Sequence, residues 1–182
     1  MRRADLAMSD QGVGETLEHG FCGRLATVGA DGFPYCVPLL FVWADRRIYL
    51  HTARVPGHLR ANLDHEPRVC FVVDEPGEVF AYGRFECDTS VAYRSVTLFG
   101  RVAVVDDTAA RRQFFARLMA KYAGSSQDRP KGFLPRIEQI ELYAIAPERI
   151  TGKEIALPPM TGRWPAADRT KTPHAQFDAG DA

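Results

Sequence analysis

Cys22–Thr52, CGRLATVGADGFPYCVPLLFVWADRRIYLHT, reads as strands in close succession. Runs rich in β-branched, leucine and aromatic residues cover 22–29, 34–43 and 46–52, separated by Ala30-Asp31-Gly32 and Ala44-Asp45-Arg46. Connections this short turn the chain back on itself, because a parallel crossover needs on the order of a dozen residues. A mainly antiparallel sheet is expected. Strand patterns recur at 68–74, 79–88, 91–106 and 137–150.

Three segments read as helices: 9–19 with Ser9 as N-cap, 56–65 opened by Pro56, and 108–123 capped by Thr108. In the last, Phe115, Leu118, Met119 and Tyr122 fall at helical spacing and predict an apolar stripe packed on the sheet. Arg111, Arg112, Arg117 and Lys121 lie mostly on its other faces. Six or seven strands, few helices and no strand-helix alternation predict a mainly β fold, a small antiparallel barrel with flanking helices. Residues 1–156 are assigned to that domain. The tail, 157–182, holds four of the twelve prolines and only Leu157, Met160, Trp164 and Phe177 as large apolar residues. It cannot build a core and is expected to be mobile or laid on another surface.

With 182 residues the chain suits one domain, and 23 basic against 23 acidic side chains leave no net charge to recruit nucleic acid or an anionic membrane. The longest apolar run, Cys36–Ala44, is interrupted by Pro38 and falls short of the ~20 residues a membrane helix needs. No apolar segment follows Arg2 and Arg3 as an export signal requires, so a cytoplasmic location is expected. Cys22, Cys36, Cys70 and Cys87 form no CxxC pair and read as small buried hydrophobes. Gly12-Val13-Gly14 lacks both the third glycine and the preceding strand of a dinucleotide loop, and P-loop, GxSxG and HExxH motifs are absent.

Chemistry concentrates in Ile48–Asp74, IYLHTARVPGHLRANLDHEPRVCFVVD. A strand ends at His51-Thr52, the chain turns at Arg54-Val55, and a helix opens at Pro56-Gly57-His58. The free amides and dipole of a helix amino end favour an anion, and Arg54, His58, Arg60 and the Thr52 hydroxyl gather there. In the alternative reading Thr52 caps the turn and the cations are solvated. His51, His58 and His65 recur every seven residues, but only His58 and His65 can share a helix face. No further ligand stands at metal spacing, so no metal site is expected. Asn62 reads as a tether to a loop or strand end.

Four blocks in order carry a resemblance: MRRAD at the start, GRLATVGADGFPYCVPLLFVW at 23–43, the junction just described, and YRSVTLFGRV at 93–102. Together, over about residues 1–153, they resemble the flavin-binding split-barrel superfamily, and within it the Nim-type nitroimidazole-resistance proteins, relatives of pyridoxamine 5′-phosphate oxidase. The resemblance implies a homodimer with FMN in a groove at the subunit interface. His51, Thr52, His58 and the backbone amide of Leu59 would hold the phosphate. Val37, Pro38, Leu39 and Leu40 would wall the ring, Ser95 would reach its pyrimidine edge, and Tyr93 or Arg94 would close the site from the partner subunit. Arg24, Thr27 and Tyr35 are further candidates, and Trp164 would cover the pocket.

The activity so implied is that of an FMN-dependent oxidoreductase, of pyridoxamine 5′-phosphate oxidase or nitroreductase type. Electrons would pass from a reduced pyridine nucleotide through the flavin to a small acceptor, nitroaromatic compounds included. The cofactor carries the hydride chemistry, so no catalytic side chain is assigned. The alternatives are a flavin carrier or sensor without turnover, a haem protein with His51 or His58 as axial ligand, and a deazaflavin binder.

Overall fold

The structure, a computed structural model, describes residues 3–83, 85–123 and 133–159. Its strands are β1 (Gly23–Val28), β2 (Pro34–Leu39), β3 (Val42–Ala44), β4 (Arg47–Ala53), β5 (Arg68–Ala81), β6 (Thr89–Val104) and β7 (Ile140–Ile155). They form one antiparallel sheet in the order β2-β1-β5-β6-β7-β4-β3. Consecutive strands β2 and β3 thus occupy opposite edges, joined only by Leu40 and Phe41. Laid flat, a sheet this wide would part its edges by about 29 Å, whereas the three Cα steps from Leu39 to Val42 reach about 11 Å. The sheet therefore curls into a barrel.

Strand alternation fills that barrel. Leu25, Ile48, Leu50, Phe71, Leu98 and Ile145 point inward with no exposure, each contributing about 1.5–3 kcal/mol by burial. Both short hairpins form: Asp45 and Arg46 take φ of 51° and 57°, as a two-residue hairpin turn requires, and Gly32 takes φ of 79° in the other loop. Strand 34–43 is interrupted at Leu40-Phe41, because the Tyr122 hydroxyl accepts from the Phe41 amide (3.2 Å) and donates to its carbonyl (3.0 Å). The expected strands at 68–74 and 79–88 merge into β5, with a register shift between Pro76 and Val79, and the chain turns by Asp88. The last strand begins at Ile140 rather than 137, after a 3-10 turn over Ile137–Gln139.

Helix α1 (Asp10–His19) starts as read, with the Ser9 hydroxyl accepting from the Gly12 amide at 3.1 Å. Helix α2 spans His58–His65, two residues later than Pro56 suggested. Helix α3 (Thr108–Tyr122) is capped by Asp107, whose carboxylate accepts from the Ala109 and Ala110 amides; Thr108 is its first helical residue. Its buried face is Arg111, Phe114 and Leu118, so Met119 is exposed and Arg111 faces inward, against the expected stripe. Cys36 and Cys87 are exposed rather than buried. Among the described residues no metal-binding cluster occurs, and no helix is long and apolar enough to cross a membrane. Trp164 and Phe177 lie outside the described residues.

Candidate functional site at the strand-to-helix junction

Past β4 the chain is tied by the Arg54 amide, which donates to the Gln139 carbonyl at 2.9 Å, and then turns through Pro56 and Gly57 into α2. Gly57 is extended (φ −149°, ψ −178°), and among the described residues no side chain caps the helix. Among the described residues the first-turn amides of His58, Leu59 and Arg60 have no acceptor, and the space a Cβ on Gly57 would fill is open. Three unsatisfied donors stand at this helix end, with the helix dipole behind them. The Thr52 hydroxyl donates locally, to the Ala53 carbonyl at 3.0 Å, leaving its lone pairs free.

The helix is held in place from below. Buried Asn62 donates to the Thr27 hydroxyl at 3.0 Å, which makes it a tether to β1. Leu59 and Leu63 pack on the barrel core, and the His58 ring lies 4.5 Å from that of Tyr35 on β2. The nearby arginines are committed to carboxylates. Arg60 Nε donates to both Asp64 oxygens at 2.8 and 2.9 Å, and its Nη1 reaches Glu141 Oε2 at 3.0 Å. The bond to Asp64 holds its guanidinium above the ordinary range. Arg54 lies 3.6 Å from Asp106 and 3.9 Å from Glu141.

Alternation along β4 separates His51 from Thr52. Ile48 and Leu50 enter the core, while His51 faces the other way, 5.4 Å from Phe114 and 5.3 Å from Phe115 on α3. Among the described residues its buried Nδ1 has no hydrogen-bond partner, and burial pulls its pKa below the ordinary value. An axial-ligand role for this imidazole meets that aromatic wall. A depressed folded pKa means the native state binds fewer protons, so the stability His51 contributes is present above about pH 6.5 and lost as pH falls below it. Between about pH 7 and pH 5 the wild type is expected to lose more thermal midpoint than His51→Phe; parallel curves would contradict this.

The remaining site candidates lie elsewhere. Val37 and Leu39 point inward and pack against the core, whereas Pro38 is exposed on the outer face beside Arg24, which pairs with Asp74. Ser95 and Tyr93 stand on the same outer side of β6, with Ser95 opposite Asp74 and Lys153. Arg94 is paired with Glu15 (3.5 Å) and Glu154 (3.4 Å), and with Tyr93 lines an open groove of about 310 Å³. Counting register steps from Tyr35, against which His58 rests, Ser95 is three strands over and on the order of 20 Å away along the sheet. One chain does not bring the junction and Ser95 together.

The sequence model for pyridoxamine 5′-phosphate oxidase matches residues 9–154. The chain belongs to this family. No curated protein matches it. Its fold is similar to that of a flavocytochrome from Azotobacter vinelandii (TM-score 0.70, 22% identity, covering 88% of this chain and 74% of that one). It is similar as well to a protein assigned to 5-nitroimidazole antibiotic resistance in Bacteroides thetaiotaomicron (TM-score 0.67, 20% identity, 80% and 83% covered). A third likeness is to an FAD-binding protein from Mesorhizobium loti (TM-score 0.61, 23% identity, 82% and 97% covered). The barrel is thus the split barrel of a flavin-binding, oxidoreductase-type family.

For a pyridoxamine 5′-phosphate oxidase relative, the donor set at the α2 amino end fits the phosphate of a flavin nucleotide: free neutral amides at an open helix start, with an imidazole on the first helical residue. What the motif reading missed is Glu141. It sits in the run Ile140-Glu141-Leu142-Tyr143 and meets Arg60 across 81 residues of chain, a pairing that the β4–β7 ladder creates. An acidic residue at an inward strand position was the available signal.

Proposed function

We propose that this chain binds FMN as a homodimer and passes electrons from a reduced pyridine nucleotide, through the flavin, to a small acceptor of the nitroaromatic class. The observation that carries the reading is the set of unpartnered amides at His58, Leu59 and Arg60, on a junction whose geometry suits a phosphate monoester. Bound there, the flavin would supply the hydride and single-electron chemistry. The chain's own part is to bind and orient. The α2 amides and His58 fix the phosphate, Thr52 offers its free lone pairs to a ribityl hydroxyl, and Pro38 with the aliphatic stem of Arg24 forms an apolar wall outside the barrel.

Two features support a second subunit. Among the described residues Val28 and Phe99 stand exposed on the outer face of β1, β2, β5 and β6, beside exposed Cys36 and Pro38. Ser95 lies too far from its own junction to serve the same flavin, so the pyrimidine edge falls to Ser95 of the partner subunit, with the partner's Tyr93 and Arg94 closing the groove. A cytoplasmic location, where reduced pyridine nucleotide is available, belongs to the same proposal. Anaerobic addition of NADH or NADPH to the flavin-loaded protein tests it: bleaching at a catalytic rate, reversed by a nitroaromatic acceptor, is expected. A flavin that neither donor bleaches would make the protein a carrier or sensor instead.

A further inference from the structure

Among the described residues Glu141 is the only acidic residue that is buried, at 7% exposure. It stands on β7 opposite Thr52, and its ion-pair partners, Arg54 and Arg60, both come from the junction. The two arginines are held differently. Arg60 is fixed by short bonds to Asp64 and Glu141, whereas Arg54, more exposed, makes only long contacts among the described residues, 3.6 Å to Asp106 and 3.9 Å to Glu141. Asp106 is itself engaged by buried Arg111 at 2.5 Å, and Arg111 also meets Glu138 at 3.4 Å. Among the described residues Arg54, Arg60 and Arg111 therefore face Asp64, Asp106, Glu138 and Glu141, and these ion pairs carry one more negative charge than positive. An incoming dianion meets guanidinium groups whose charge is already spoken for.

We propose that Glu141 sets how strongly the junction prefers a phosphate monoester, by anchoring Arg54 and Arg60 beside the first turn of α2 and neutralising the charge they would otherwise present. It is a positioning residue, acting on the phosphate through the two arginines. The inference rests on the phosphate-docking reading above. Replacing the carboxylate by an amide of the same shape keeps an acceptor for Arg60 and removes the opposing charge. A neutral flavin that lacks the phosphate should not register the change.

The test titrates FMN and riboflavin into wild type, Glu141→Gln, Glu141→Asp and Arg54→Gln apoprotein, following flavin fluorescence. Glu141→Gln is expected to bind FMN about tenfold tighter with riboflavin affinity unchanged, and to lose that gain at high salt. Glu141→Asp should hold the FMN-to-riboflavin ratio near wild type, and Arg54→Gln should lower it by about tenfold. A ratio unmoved or reduced in Glu141→Gln overturns the proposal, as does an equal loss for both flavins, which marks a structural prop. If Glu141→Gln fails to fold, Arg54→Gln decides, and an unchanged ratio there overturns the proposal. Wild type that binds neither flavin removes the docking reading and this inference together, whereas tight flavin binding with an unmoved ratio removes this inference alone.

Discussion

His58→Pro is expected to leave the barrel folded while weakening FMN binding about 100-fold, with riboflavin affinity falling far less. His58 is the first residue of α2, the position where proline is best tolerated, since its missing amide and fixed φ fit the start of a helix. Proline also restricts the residue before it to extended backbone, and Gly57 already has that geometry at φ −149° and ψ −178°. The ring of His58 is exposed and touches only Tyr35 among the described rings, so little packing is lost. What disappears is one unpartnered amide and one imidazole. Hydrogen bonds to a charged group contribute about 1.5–3 kcal/mol each, so losing two, even at the low end of that range, corresponds to about two orders of magnitude in affinity. Parallel titrations with the two flavins, and a thermal melt to confirm folding, check this. A folded variant with unchanged FMN affinity would place the phosphate elsewhere.

The largest loss of stability is expected from Gly100→Ala. Gly100 lies on β6 at the register shift against β7, where a Cβ would come 2.2 Å from the Ala146 carbonyl oxygen and 3.1 Å from the Pro147 Cα. Both obstacles are backbone within the sheet, so relief requires parting β6 from β7 at the centre of the barrel. A cost of about 3 kcal/mol is expected, the upper end of ordinary overpacking, which lowers the thermal midpoint by roughly 6–12 °C in a chain of this size. Gly14→Ala is the natural control. Gly14 sits within α1 with nothing near the added methyl, and that substitution should stabilise by about 0.5–1 kcal/mol. Similar melts for the two variants would contradict the packing described for β6 and β7.

The features legible in the sequence are those that local chemistry decides. Asp31-Gly32 and Asp45-Arg46 supply the positive-φ residues that tight hairpins need, so the antiparallel meander could be read directly. Ser9 announces α1 because a cap needs only its own next residues. Features created by distant contacts stayed hidden. Leu40-Phe41 continues a strand pattern, and the break comes from Tyr122, 81 residues away, taking both backbone groups of Phe41. On α3 the adjacent pair Phe114-Phe115 allows two choices of apolar face about 100° apart, and Arg111 fills the inner one only because Asp106 and Glu138 meet it there. The junction itself was readable from Pro56-Gly57, but the commitment of Arg54 and Arg60 to Glu141 was not, since β4 pairs with β7, a strand far along the chain.

The chromophore released when the purified protein is denatured tests the central claim most directly. Its mass should be that of FMN, in equal number to the chains, from a protein that is yellow and sediments as a dimer. A colourless protein that takes up no FMN when it is added in excess, or one that releases haem in its place, would contradict the account.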